Sequence, residues 1–253
     1  MSDRDVVDQF TRQVETFVAS PHVNAEEPVR RFLALVQPRP GDRALDVACG
    51  PGLLARAFAP RVASYLGVDL TPAMVEKARR IASEAGLGNA RFEVADATRL
   101  PFPEGSFDLV LTRLALHHMP DPAHALAEMA RVLVPGGRLG VFDLQATEDA
   151  VEAAELNAIE RLRDPSHART LPLSELCALA GRAGLSVERV DTVSLSIEIE
   201  DWLRRAFQPA EASEEVRRRL VPGPRAFGGH PVYRDAAGHL CFDSRYQMLL
   251  AIR

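Results

Sequence analysis

Between residues 43 and 144 the sequence switches repeatedly between short apolar runs and stretches of helical period, and few folds can accommodate that alternation. Residues 43–48 read as a short apolar strand, followed by the turn Gly50-Pro51-Gly52 and a helical run over 53–58. Residues 65–70 form a second strand, and Thr71-Pro72 offers an N-cap and a first-turn proline to a helix that runs to Gly86. Phe92, Val94 and Ala95 belong to a third strand closed by Asp96. After a turn at 101–105, residues 107–111 are a buried fourth strand. Asp121-Pro122 caps a helix carrying Leu126, Met129 and Leu133, and Pro135-Gly136-Gly137 ends it before a fifth strand at 139–144. Strands alternating with helices predict a parallel sheet covered on both faces.

The flanks complete one domain, 1–253. Phe10, Val14, Phe17 and Val18 repeat at helical spacing until Ser20-Pro21. A second helix starts at Asn24, read as an N-cap with Glu27 three residues on, and stops at Pro38 and Pro40. Residues 1–40 are thus an N-terminal helical cap on a core at 41–145. The remaining half, 146–253, holds a polar helix at 147–162, a helix with Leu173, Leu176 and Leu179 ending at Gly184, an alternating strand at 187–199 and a terminal strand at 242–252. Charged helical sequence at 201–220 and a Pro- and Gly-rich stretch at 221–238 read as an insertion near 200–238.

Composition narrows the function. Thirty Lys and Arg against 35 Asp and Glu give a net charge of −5, so no global basic field favours nucleic acid or an anionic membrane. No run approaches the ~20 apolar residues of a membrane span, and the charged start has no signal-peptide core, which makes a cytoplasmic location the expectation. Cys49, Cys177 and Cys241 share no CxxC spacing, so neither disulfides nor a zinc site is expected.

Gly50-Pro51-Gly52-Leu53-Leu54-Ala55 fits the loose G-x-G-x-x-G/A pattern, in which absent side chains let a ligand approach the backbone. Asp46, near the end of an apolar strand, would repel a dinucleotide pyrophosphate and welcome an ammonium group. Asp69, at the end of the second strand, can accept both hydroxyls of a ribose or simply serve the helix entry beside Thr71. Asp96 can accept from an exocyclic amine or be an ordinary turn aspartate. Three acids at the carboxyl ends of three successive strands lie on the edge where open α/β sheets bind ligands.

In these residues the chain resembles the class I S-adenosylmethionine-dependent methyltransferases, in the small-molecule branch similar to the ubiquinone and menaquinone biosynthesis enzymes. The resemblance rests on 45–52 (LDVACGPG), 67–69 (GVD), 95–97 (ADA), 107–110 (FDLV) and 133–137 (LVPGG), in the family's order and spacing. It implies an α/β, Rossmann-like, seven-stranded, mostly parallel sheet with an antiparallel last strand and helices on both faces. It also implies S-adenosyl-L-methionine as cofactor, S-adenosyl-L-homocysteine as product and a small-molecule acceptor. By the same resemblance, Asp46 meets the methionine ammonium, and the backbone of Ala48, Gly50 and Gly52 lies against the cofactor. Asp69 takes the ribose with Leu70 beside the adenine, Asp96 and Ala97 take the adenine edge, and Arg113 and Leu114 line the sulfonium side.

A sulfonium methyl is already electrophilic, so the protein has mainly to align donor and nucleophile; a base is needed only for a protic acceptor. His118, after the fourth strand, is the candidate base, and its neighbour His117 reads as structural. Trp202 could line an acceptor pocket or pack in the core. The arginines at 204–205 and 217–219 could greet an anionic acceptor, but Glu211, Glu214 and Glu215 interrupt them and they read rather as a solvated face. Open alternatives are a cyclase or decarboxylase that uses the cofactor structurally, a nicotinamide oxidoreductase, and a non-catalytic cofactor-binding protein.

Overall fold

The computed structural model describes residues 3–20 and 23–253. In chain order the elements are α1 (Asp3–Ala19), α2 (Glu26–Val36), β1 (Arg43–Val47), α3 (Ala55–Phe58), β2 (Ser64–Asp69), α4 (Pro72–Glu84), β3 (Ala90–Val94), β4 (Phe107–Arg113), α5 (Pro122–Val132), β5 (Leu133–Leu144), α6 (Ala150–Arg163), α7 (Leu173–Arg182), β6 (Ser186–Glu198), α8 (Ile199–Arg204), α9 (Ala210–Arg219), β7 (Gly223–Phe227), β8 (His230–Arg234) and β9 (Leu240–Ile252). None of the helices among the described residues is long and apolar enough to cross a membrane.

The sheet runs β3-β2-β1-β4-β5-β9, with the first five strands parallel and β9 antiparallel to β5. β6 pairs antiparallel with the other edge of β9 along its length, from Ser186↔Ile252 to Glu198↔Cys241. Those seven strands are the expected sheet. Two more extend it, because β9 is longer than its partner: β5 covers only Tyr246–Ile252. The bare edge at Leu240, Cys241 and Phe242 is taken by β8, which pairs in turn with β7. The region expected as an insertion therefore contributes to the sheet. Its hairpin turns at Gly228-Gly229, where φ is 51° and 84°, values glycine adopts without steric cost.

Two apolar layers sandwich the sheet. One face carries α2, α3 and α4 over Phe32, Phe58, Val75 and Phe142. The other carries α5 and α7 over Leu126, Met129, Leu176 and Leu249. A third cluster joins Trp202, Phe227 and Phe242, with ring centroids 4.8–5.6 Å apart, beneath the added hairpin.

Several local expectations change. The Pro21 break lies outside the described residues, with α1 ending at Ala19. Asn24 does not cap α2. Ala25 occupies that position, while Asn24 Nδ2 donates to the carbonyls of Val18 and Ser20 at 2.8 Å and closes the turn between the helices. The helix after the glycine turn has only four residues, since Pro60 diverts the chain into a single 3-10 turn. Pro135-Gly136-Gly137 does not separate α5 from β5. The strand starts directly at Leu133, and Gly136, at φ 75°, is a bend within it. Thr71 precedes α4 without a side-chain capping bond.

Candidate active site

The carboxyl ends of β1, β2 and β4 and the segment after β3 border a cavity of about 180 Å³. Its wall includes Asp46, Ala48, Gly50, Asp69, Leu70, Asp96, Ala97, Arg113, Leu114 and His118. Gly52 is the expected site residue that does not line it. A Cβ there would sit 2.9 Å from Ala78 Cβ and 3.0 Å from Phe92 Cε1, so Gly52 lets α4 and β3 close against the turn. Gly50, at φ 53°, has nothing within 4 Å of its Cβ position, leaving open space beside the backbone. Ala48 (φ 55°) and Leu114 (φ 53°) hold the left-handed conformation without glycine's freedom, and such strain gathers at functional sites.

The acids differ in their commitments. Asp46 is 1% exposed; Oδ2 accepts the Tyr65 hydroxyl, while Oδ1 is buried with no hydrogen-bond partner. Burial pushes its carboxyl up to about 7, against the Tyr65 hydrogen bond and the charge of Arg113. Asp69 is already a backbone clamp: Oδ2 accepts Gly50 N–H and Oδ1 accepts Thr71 N–H, both at 2.8 Å. The helix-entry reading of Asp69 therefore holds, and the same side chain also lines the cavity. Burial raises its carboxyl too, opposed by those two bonds. Asp96 Oδ1 accepts from Thr98 N–H and Oγ–H at 2.8 Å, a turn aspartate that nonetheless faces the same space.

Arg113 donates to the carbonyl of Val23 and stacks 5.2 Å over the Phe142 ring, while its Nε is buried without a partner. Burial lowers it to about 10, which leaves it charged near neutrality. From above, α1 roofs the cavity with Val6, Phe10 and Phe17, the Phe10 ring standing edge-on to His118 at 4.8 Å. The unpartnered carboxylate oxygen of Asp46, the open turn at Gly50 and the acids at adjacent strand ends thus share one cavity.

His117 and His118 part company. His117 is buried against Asp143, which accepts from its ring and its backbone N–H. Burial opposes the charged ring, but the Asp143 charge and hydrogen bond override it and raise its pKa. His118 Nδ1 lies 3.2 Å from the Ser166 carbonyl and 3.0 Å from its hydroxyl, which donates to Asp164 at 2.6 Å. A carbonyl only accepts, so Nδ1 carries the hydrogen and Nε2 presents a lone pair. Burial, aided by the neighbouring His117, lowers His118 to about 4, so the ring is neutral at pH 7.

Behind His118 lies a second chamber of about 100 Å³, sharing Phe17, Val23, Leu114 and His118 with the first. Its other residues, among them Gln13, Glu160, Arg163, Asp164, Arg205 and Tyr246, come from α1, α6, the segment after it, α8's end and β9. Sequence reasoning missed all but Arg205, for no motif joins positions so far apart, and Arg205 itself, expected on a solvated face, is mostly buried in this wall. Trp202 belongs both to this wall and to the apolar cluster under the hairpin.

The family model for a methyltransferase domain matches residues 45–141. The uncharacterized methyltransferase YcgJ of Bacillus subtilis is 36% identical over 211 residues, 83% of each chain. The crystal structure of YcgJ superposes with a TM-score of 0.83 at 33% identity, covering 90% of this chain and 98% of that one. The 27-O-demethylrifamycin SV methyltransferase of Amycolatopsis mediterranei is 36% identical over 168 residues, 65% of this chain and 61% of that protein. These likenesses decide against the nicotinamide reading of the glycine turn, and the chain belongs to the class I S-adenosylmethionine-dependent methyltransferases, as an enzyme of small-molecule methyl transfer.

Proposed function

We propose that the first cavity holds S-adenosyl-L-methionine, that the acceptor enters from the second, and that His118 takes the acceptor's proton. The observation that carries this reading is the position of His118 on the wall common to both chambers, with its ring fixed through Nδ1 and Nε2 left free of hydrogen bonds among the described residues. In the first cavity, Asp46 Oδ1 receives the ammonium, Asp69 the ribose and Asp96, with the Ala97 backbone, the adenine edge. The Gly50 turn admits the chain between them. When bound, the cofactor supplies an electrophilic sulfonium methyl.

The chain's own work is then positional and protonic. Phe10 and Phe17 exclude water from above, which strengthens every polar contact beneath them. His117, locked on Asp143, holds the adjacent His118 backbone, and its carbonyl accepts from Ala168 and Arg169 N–H at 2.9 and 3.0 Å, tying down the loop that carries Ser166. An acceptor hydroxyl at Nε2 gives up its proton there as its oxygen becomes the nucleophile.

The test is formation of S-adenosylhomocysteine with a panel of hydroxylated aromatic acceptors. His118→Ala is expected to lower turnover by about 10² to 10⁴ with cofactor affinity nearly unchanged. Full turnover in the variant would remove the base from the mechanism.

A further inference from the structure

The second chamber carries two guanidinium groups, and one of them keeps a buried donor without a partner. Arg163 stacks 4.8 Å over the Trp202 ring, donates from Nε to the Trp202 carbonyl at 3.2 Å and places Nη1 3.5 Å from Glu160 Oε2. Arg205 donates from Nη1 to Ser20 Oγ at 2.6 Å and from Nε to the Asp201 carbonyl at 3.2 Å, with Asp201 Oδ2 3.3 Å away. Its Nη2 is buried and makes no hydrogen bond. A buried donor without a partner is costly, and a guanidinium doubly so.

The acids on the same wall are otherwise engaged. Glu160 faces Arg163, and burial raises its pKa, weakening its claim to be the counter-charge. Asp164 accepts Ser166 N–H at 2.9 Å, the Ser166 hydroxyl at 2.6 Å and Gln13 Nε2 at 3.4 Å. Gln13 Nε2 also reaches the Ala206 carbonyl at 3.5 Å, and these two acceptors fix the amide's orientation, so its buried, unpartnered Oε1 stands ready for a donor. The two arginines also repel one another, since the charge of Arg163 helps burial to lower Arg205.

Resting on the methyl-transfer reading above, we propose that this chamber anchors the acceptor by a carboxylate on Arg205 and Arg163, and that the acceptor is a ring-sized hydroxy acid whose hydroxyl reaches His118. A planar carboxylate matches the fork of a guanidinium. It also fits the charge, because a dianionic phosphate would leave one negative charge unmet beside Glu160 and Asp164. A chamber of about 100 Å³ is on the scale of the ~150 Å³ cavity that holds one benzene ring, so the anchored part is a single ring or a chain of that length. Trp202 and Ile197 supply the apolar wall for it, and Gln13 Oε1 the acceptor for a further hydroxyl hydrogen. An anion bound here would also draw His118 upward from its depressed basicity, which favours proton transfer from the hydroxyl.

The experiment is calorimetric titration of the S-adenosylhomocysteine-loaded protein with 4-hydroxybenzoate and with its neutral isostere 4-hydroxybenzamide. The acid is expected to bind at least tenfold tighter than the amide. Arg205→Gln is expected to remove most of that preference, and Arg205→Lys to restore part of it, which separates loss of charge from loss of fold. Equal affinities, binding of neither compound, or a preference that survives Arg205→Gln largely intact would overturn the proposal. Failure of the methyl-transfer reading shows elsewhere: the wild-type protein would not bind S-adenosylhomocysteine, or His118→Ala would keep full turnover while the acid preference stood.

Discussion

Replacing Asp46 with asparagine separates what this carboxylate does for the ligand from what it does to the fold. In the free protein burial holds the group up at about 7, so at pH 6 roughly a tenth of the molecules carry the charge. Pairing with an ammonium requires the ionised form, so binding must expel a proton wherever the group is still protonated. Cofactor affinity should therefore fall about tenfold for each pH unit below 7 and level off above 8. Titration calorimetry at pH 6 in two buffers of different ionisation enthalpy should register release of close to one proton, and at pH 8.5 almost none. Stability runs the other way. Relative to an ordinary aspartate, a value near 7 corresponds to roughly 4 kcal/mol at about 1.36 kcal/mol per unit. Because the folded-state pKa is raised, this favourable contribution is present below about pH 4 and lost as the pH climbs to about 7. Asp46→Asn keeps an acceptor for the Tyr65 hydroxyl and removes the ionisation penalty. It should match the wild type near pH 4 and melt higher at pH 8, with about 4 kcal/mol as an upper bound. Its cofactor affinity should be low and independent of pH. Wild-type binding that neither releases a proton nor weakens in acid would refute the reasoning, as would an Asn variant of normal affinity.

Other substitutions divide the site into its parts. Gly50→Val is expected to lower cofactor affinity by at least 100-fold, because its side chain fills the open space beside the turn, while a circular-dichroism melt shows only the loss expected for a left-handed non-glycine residue, about 1–2 kcal/mol. Gly52→Ala should instead destabilise the fold by about 1–3 kcal/mol, its Cβ meeting Ala78 and Phe92. Asp69→Ala strands two backbone donors as well as any ribose contact. Melting should reveal a loss of about 1–3 kcal/mol per donor, and calorimetry a fall in affinity of one to four powers of ten. His117→Ala leaves Asp143 buried without its partner and should lose about 3–5 kcal/mol in denaturant unfolding at pH 6. Since the folded-state pKa of His117 is raised, that pair's contribution fades as the pH rises through the raised value.

The glycine turn and the strand-end acids were legible because both obey local rules: strands end where apolar runs meet a turn, and parallel strands bring their carboxyl ends to one edge. Those rules put Asp46, Asp69 and Asp96 at the carboxyl ends of three successive strands, and all three line one cavity. The β7–β8 hairpin was obscured by the same residues that build it. Gly228-Gly229 is a hairpin signal, but proline and glycine around it read equally well as an irregular insertion. Gly52 looked like a ligand-facing glycine, and its role in packing emerges only where Ala78 and Phe92 stand.

What the sequence determines by itself is the set of local elements and the edge at which they converge, since hydrophobic period and turn chemistry act over a few residues. The second chamber is another matter. Gln13, Arg163, Arg205 and Tyr246 are separated by up to 233 positions and meet only because β9 inserts antiparallel between β5 and β6 while α1 folds back over the sheet. The depressed basicity of His118 and the unfilled guanidinium of Arg205 are likewise properties of burial. Burial is fixed by packing between distant segments, and no local pattern encodes it.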